Sequence, residues 1–504
     1  MRGDALMARA RLNYLTDTDR QQIHDRTVEV LEKVGVRFHL PEAIELLGAA
    51  GAEVDRNDLS ARIPWSLVEE ALKSAPRRVL LAARDPQRDV MLGDGRLSVS
   101  SDGTATYLLD DATGERLPGS ADRLRTVMRL LDALPQCDYV WPSLSARDLD
   151  PRTANLEIEY ISLAECSKHL QDEVRGPEFV APLVDMLEAV AGAGLRERPI
   201  FSVINCTVAP LEHDPEMTKA TLELARHGVP IVVMPMPLMG TTAPASLVGT
   251  AVVNMAELLS TVVLLQLAAP GCAVISAPEP AVADLRTGLY QCGAPEAFLM
   301  TLACLEMSAQ YGLPTQGGGL GGDGRYPDFQ EGAEGVAAAL LVALSGADSM
   351  VGFGTLDGAQ SFSLAQAVLH DDAMAAVRRL TGEEPVDERS ALVDDILAVG
   401  PGGHFLGRRS TRELGHSGRL WEPAVFRRGQ ARGGPSRLVE EAAARAAEIL
   451  ATHEPEPLAD DVTRYVERVI ADFATSLVAE HHDAAAVAAD PDALRRQVVG
   501  DADR

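Results

Sequence analysis

From about residue 121 the chain settles into one repeating pattern, and that pattern limits the folds open to it more than anything else in the sequence. Apolar extended runs recur at 139–144, 199–208, 230–239, 272–277 and 349–355, with another around 169–174 and one entering the glycine-rich stretch after Leu313. Helical patterns lie between them, at 154–166, 179–193, 215–227, 246–269, 295–311 and 329–345. Strand starts fall roughly 30 to 40 residues apart, the spacing of consecutive βα units. Seven units are readable, and an eighth fits between about 361 and 405. Eight would close a (β/α)8 barrel. An open doubly wound sheet is the alternative, and the number of similar units favours closure.

The flanks read differently. Residues 16–34, 41–50 and 64–74 are helical patterns, the first capped by Asp17 or Thr18. Short extended pieces follow from 79 to 109, punctuated by Asp-Gly at 94–95 and 102–103 as β-hairpins are. Residues 1–120 therefore read as an α+β covering region and 121–425 as the barrel. Residues 426–504 read as a helical extension, with helices at 436–450 and 459–477 and a tail that frays from about 481. The stretch 400–418 is rich in Pro and Gly and reads as irregular.

A chain of 504 residues that is 46% apolar and 24% charged has material for a large core. With 46 basic and 74 acidic side chains its net charge is −28, which disfavours nucleic acid and anionic membrane surfaces as partners. The six cysteines form no C-x-x-C pair and no His/Cys set with zinc spacing, so no bound metal is expected. They read as reduced core residues of a cytoplasmic protein. The N-terminus has no secretory pattern. The apolar stretch 247–269 is interrupted by Asn254, Glu257 and Gln266, and reads as a buried helix rather than a membrane span.

In a barrel, chemistry sits where strands end. Asn205 and Cys206 close one strand, the run MPMPLMG at 234–240 another, Glu279 follows a third, and Phe353 and Gly354 close the seventh. The sixth exits into GGGLGGDGRYPDFQEGAE, with Asp323, Asp328, Gln330 and Glu334 close behind. Glycine allows close backbone approach to a ligand. Asp328 also suits the cap of the next helix. Gln330 and Glu334 are four apart and share a helix face, which makes the pair a better site candidate than either alone. The run has no Gly-Lys-Ser/Thr and is not a Walker loop. His404 and Phe405 are presented by a glycine-rich loop. Tyr107 lies in the N-terminal layer, where it could cover the barrel mouth. His416 reads as exposed, and His370 as lying on a solvated helix turn.

Several ordered segments together resemble the trimethylamine methyltransferase family, in its branch without pyrrolysine that includes glycine betaine:corrinoid methyltransferases. They are TGERLPGSADRLRTVMRLLDALP, CTVAPL, VPIVVMPMPLMGTTAPASLVGTAVVNMAELLSTVVLLQLAAPG, DLRTG, YGLPTQGGGLGGDGRYPDFQEGAEG, GPGGHFLGRRST and EILATHEPEPLADD, and the likeness spans about 15–473. The resemblance implies a TIM barrel with an N-terminal covering region and a C-terminal helical extension. It implies methyl transfer from a methylated amine to the cobalt of a corrinoid (cobalamin) held by a separate small partner protein. The sequence has only standard residues, so a quaternary trimethylammonium compound such as a betaine is expected rather than trimethylamine. The alternatives are another methyl donor, tetrahydrofolate as acceptor, or a non-catalytic betaine-binding protein.

For such a substrate the expected working groups are Glu334, Asp323 and His404. Tyr107, Asp328, Gln330, Phe353 and Phe405 are the expected substrate contacts, with Trp141 and Trp421 as further aromatic candidates. Arg325, His404 or Gln330 would meet a carboxylate. A homo-oligomer is expected.

Overall fold

The structure, a computed structural model, describes residues 6–8, 10–103, 105–427 and 437–488, with backbone only at 6–8 and 478–488. It is a mixed α/β fold. Its central strands are Leu170–Glu173, Phe201–Val208, Ile231–Met234, Val274–Ser276, Gln316–Gly318 and Ser349–Phe353. The first four pair in parallel in that order, as do the last two. A parallel bridge from Ser276 to Thr315 joins the two groups. The segment 139–144, expected as a strand, contributes only bridges: Tyr139 to Ser100, Val140 to Leu170 and Leu144 to Ala105.

The eighth parallel strand is not where the sequence pattern places it. Residues 361–405 hold Ser361–Phe362, which pairs in parallel with Tyr107 and Leu108, and the helix Leu364–Thr381. They also hold the strand Glu384–Val386, antiparallel to Leu6–Ala8, and two short helices, and neither of these strands pairs with the central ones. The partner on the far side of Ser349–Phe353 is instead Ser98–Ser101, which also bridges to Tyr139. All four residues of that strand are buried, as befits a parallel strand covered on both faces. Asp102 and Gly103, expected as a hairpin turn, are the exit of this strand. The pairings thus pass through eight segments, and the last pairs again with the first.

The hairpin Val79–Leu81/Val90–Leu92 packs with Tyr139, Ile204, Val232 and Ile275 in a second apolar cluster inside the strands. The helix Leu247–Ala268 is long and apolar enough to cross a membrane, yet 83% of its most apolar window is buried in the fold. The helices Asp17–Lys33, Pro41–Ala49 and Trp65–Ser74 pack on it. The N-terminal helices therefore lie against the outside of this layer. The cap of Asp17–Lys33 is Thr16, one residue before the expected Asp17, because Asp19 completes a reciprocal capping box with it.

At the other end, Leu438–Thr452 packs on Leu364–Thr381, and Asp460–Ala488 on Val180–Ala191. The tail expected to fray from about 481 stays helical to 488, and residues 489–504 lie outside the described residues. The stretch 400–418 is not wholly irregular, since Arg409–His416 is helical. All six cysteines are free thiols, four of them buried.

Candidate active site

The exits of the parallel strands surround a cavity of about 780 Å³, counting its open mouth. Asp102 leaves Ser98–Ser101, Met234 ends Ile231–Met234, Glu279 follows Val274–Ser276, and Gly318 ends Gln316–Gly318. Val351 and Thr355 come from and beyond Ser349–Phe353. Ligands of parallel α/β folds sit at these carboxyl ends. The remaining wall comes from the hairpin Ala281–Ala283/Tyr290–Gln291, which presents Tyr290, and from Phe298 and Thr301 on Pro295–Gln310.

Asp102 and Glu279 are the only charged side chains among the described residues lining this cavity. Each is reached from the cavity and otherwise enclosed by protein. Glu279 Oε1 is shut off from solvent and has no hydrogen-bond partner. A buried polar atom left this way costs stability, so it asks for a ligand or a proton. Enclosure in protein pushes the Glu279 carboxyl well above its ordinary 4.5, and the nearby Asp102 charge adds to the rise. Enclosure raises Asp102 to about 6, opposed by the Gly103 N–H, which donates to Asp102 Oδ1 at 2.7 Å. Gly318 makes room for this arrangement: a Cβ there would lie 2.5 Å from Glu279 Oε2.

The acidic cluster of the glycine loop lies behind this wall. Asp323 Oδ1 accepts from the Cys292 N–H at 3.0 Å. Glu334 Oε2 accepts from the Asp323 N–H at 2.8 Å, and Gln330 Nε2 donates to Glu334 Oε1 at 2.9 Å. The expected Gln330–Glu334 pair therefore exists, and with Asp323 it ties the glycine loop to the Tyr290 hairpin. None of the three lines the cavity. Asp328 caps Phe329–Ser345, accepting from the N–H groups of Gln330 at 2.9 Å and Glu331 at 3.3 Å. Several of the glycines make room for carboxylates: a Cβ on Gly322 would sit 2.7 Å from Glu334 Oε2 and 2.8 Å from Glu331 Oε2. Glu331, absent from the sequence-based candidates, is fully buried, and enclosure raises it to about 9.

The other expected residues are scattered. Phe353 is fully buried among apolar side chains, its ring edge-on to His370 at 5.9 Å. His370, expected on a solvated turn, is buried. Its Nδ1 accepts the Gly354 N–H at 2.9 Å, and burial lowers it to about 3. Tyr107 already carries Arg116 and Arg147 over its ring at 5.8 and 5.6 Å. Arg325 pairs with Asp357 at 3.3 Å. Trp141 is buried in the second cluster, against Gly103. His404 and Phe405 are exposed, and neither lines the cavity. Of the strand exits singled out in the sequence, the MPMPLMG run, Glu279 and the glycine-rich stretch all reach the site, through Met234, Met236, Glu279, Gly318, Gly319 and Gly321.

Four large apolar side chains stand exposed on the segments that also supply lining residues. Leu285 and Leu289 flank the turn of the Tyr290 hairpin, and Tyr326 and Phe329 follow the glycine loop.

The family model described as "Trimethylamine methyltransferase (MTTB)" matches residues 5–476. The chain is 32% identical to trimethylamine methyltransferase MttB of Methanosarcina barkeri (strain Fusaro / DSM 804) over 410 residues, covering 80% of this chain and 83% of the relative. It is 28% identical to MttB of Desulfitobacterium hafniense (strain DSM 10664 / DCB-2) over 460 residues, 90% and 92% of the two chains. It is 26% identical to glycine betaine methyltransferase of Desulfitobacterium hafniense (strain Y51) over 466 residues, 91% and 96%. In structure it resembles the Methanosarcina barkeri monomethylamine methyltransferase MtmB, with a TM-score of 0.51 at 11% identity, covering 92% of this chain and 87% of that one.

Proposed function

Because the chain belongs to the trimethylamine methyltransferase family, we propose that it moves a methyl group from a quaternary trimethylammonium compound to a corrinoid carried by a separate protein. It is a methyltransferase of methylated-amine type, like its named relatives. The observation that carries the finer reading is the pairing of Glu279 and Asp102 in a cavity otherwise walled by Met234, Met236, Phe298, Tyr290 and Val351. A quaternary ammonium spreads its charge over its methyl groups and has no N–H to donate. It is held by apolar and aromatic faces with a carboxylate nearby. A neutral or anionic substrate would leave the two acids to be held protonated, whereas a cation meets them in their ionised forms.

The chain's own work is then holding and aiming. Glu279 and Asp102 balance the cation, Tyr290 and Phe298 offer ring faces, and the methionines exclude water. The corrinoid supplies the Co(I) nucleophile when its carrier docks. The N–CH3 bond breaks with its electron pair going to nitrogen, so a neutral amine leaves and no acid is needed. The exposed Leu285, Leu289, Tyr326 and Phe329 would offer that partner apolar docking contacts. In this reading Asp323, Gln330 and Glu334 position the loop rather than touch the amine, Asp328 caps, and His404 and Phe405 lie outside the amine site.

The eight parallel segments are read as a (β/α)8 barrel, a reading that the likeness to MtmB supports. Its first strand is Ser98–Ser101, so the proposed boundary of the covering region moves from 120 to about residue 97. The protein is read as a cytoplasmic homo-oligomer. Incubating the protein with Co(I) cobalamin and a panel of methylated amines, and following methylcobalamin by its absorbance, tests the function. Turnover with no quaternary amine would sink it.

A further inference from the structure

The charges of this cavity narrow the substrate further, on the footing of the quaternary-amine reading just given. We infer that the site takes a cation with no carboxylate close to its nitrogen, of the tetramethylammonium or choline kind, and disfavours an α-carboxylated betaine.

The two charged groups lining the cavity have the same sign, and no Arg, Lys or His is among the described residues that line it. The next layer is acidic too. Glu173 Oε1 accepts from the Cys206 thiol at 3.4 Å, and Asp323 accepts from Cys292. Burial raises Cys206, Tyr290 and Cys292, and the Glu279 charge adds to the rise in all three. Cations on the neighbouring loops have partners of their own. Arg116 and Arg325 both pair with Asp357, beside Gly358 of the rim, and Arg147 lies over Tyr107.

In glycine betaine a single methylene separates nitrogen from carboxylate. Any pose that sets the nitrogen against Glu279 and Asp102 therefore holds the carboxylate inside the same small acidic space. The side-chain donors in the lining are uncharged: the hydroxyls of Tyr290, Thr301 and Thr355 and the Cys292 thiol. Neutral donors do not offset two like charges at close range. A cation ending in methyl groups or a hydroxyl meets no such repulsion, and a hydroxyl can pair with these donors. The relative named for glycine betaine is 26% identical, so its substrate does not carry over by similarity.

The test is calorimetric titration of the full-length protein with tetramethylammonium, choline and glycine betaine at one pH and ionic strength. One or both of the carboxylate-free cations should bind about tenfold or more tightly than glycine betaine. Glu279→Gln, checked for folding by its melting curve, should weaken the cations and narrow that gap. Glycine betaine binding as tightly as both cations in the unaltered protein would overturn the inference while leaving the quaternary-amine reading intact. Failure of all three to bind, with no methyl transfer from any quaternary amine, would instead remove the reading beneath it.

Discussion

Gly318 passes so close to Glu279 that a Cβ on it would stand 2.5 Å from the Glu279 Oε2. The strand exit and the acid at the base of the cavity are therefore built as one unit. Gly318→Ala should force the carboxylate aside and narrow the cavity. Amine affinity is expected to fall about tenfold or more, while stability falls by about 1–3 kcal/mol as for other overpacked sites. Calorimetric titration and thermal melting separate the two effects. Unchanged affinity would show that Glu279 does not face the amine.

Binding of a cation to two acids with raised pKa must depend on pH. Asp102 stands at about 6 and Glu279 well above 4.5 in the free protein. A quaternary ammonium favours their ionised forms, so binding releases protons at low pH. Affinity should rise with pH by up to about tenfold per unit per group, and level off once both are ionised without ligand. Glu279→Gln should remove one of the two groups' contributions and make this rise shallower. A pH-independent affinity for tetramethylammonium between pH 5 and 9 would contradict the assignment.

The elements differ in how plainly the sequence announces them. Helices such as Pro215–His227 and Phe329–Ser345 were legible because Asp214 and Asp328 cap them and Gly228 and Gly346 end them. The strand Ser98–Ser101 was legible as extended but not as part of the parallel sheet, because Ser-Val-Ser-Ser has the polarity of a surface hairpin. The glycine loop was visible as special, but its first purpose is close packing against Glu279, Glu331 and Glu334, which no spacing announces. Glu279 reads as a lone acid between two prolines. It becomes a site only when Asp102, some 180 residues earlier in the chain, is brought to the same cavity.

Buried ionisable groups should limit stability from both sides. Glu331 is held at about 9 against an ordinary 4.5, so it stays protonated in the fold. Its contribution is fully present below 4.5 and is lost as pH rises toward 9, on the order of 1.4 kcal/mol per unit. On the acid side, His169, held at about 4, and His213 and His370, held at about 3, are neutral in the fold. The unfolded chain takes up those protons below about 6.5, so stability falls there as well. Glu331→Gln should flatten the alkaline fall and leave the acid one unchanged, as read by denaturant titrations from pH 5 to 9.

His404 and Phe405 are exposed, and neither lines the cavity. Alanine at either position should leave amine affinity within about twofold, the usual result for surface changes. Any effect on turnover should appear only in the concentration dependence on the corrinoid protein. A large loss of amine affinity in titrations of either variant would return that loop to the amine site.

The central claim is that a quaternary ammonium held against Glu279 and Asp102 gives up a methyl group. The direct measurement is the rate of methylcobalamin formation from Co(I) cobalamin and tetramethylammonium or choline, in the unaltered protein and in Glu279→Gln. The account predicts transfer from at least one of these cations, and a rate at sub-saturating amine at least about tenfold lower in the variant. Equal rates in the two proteins, or transfer confined to amines without a quaternary nitrogen, would contradict it.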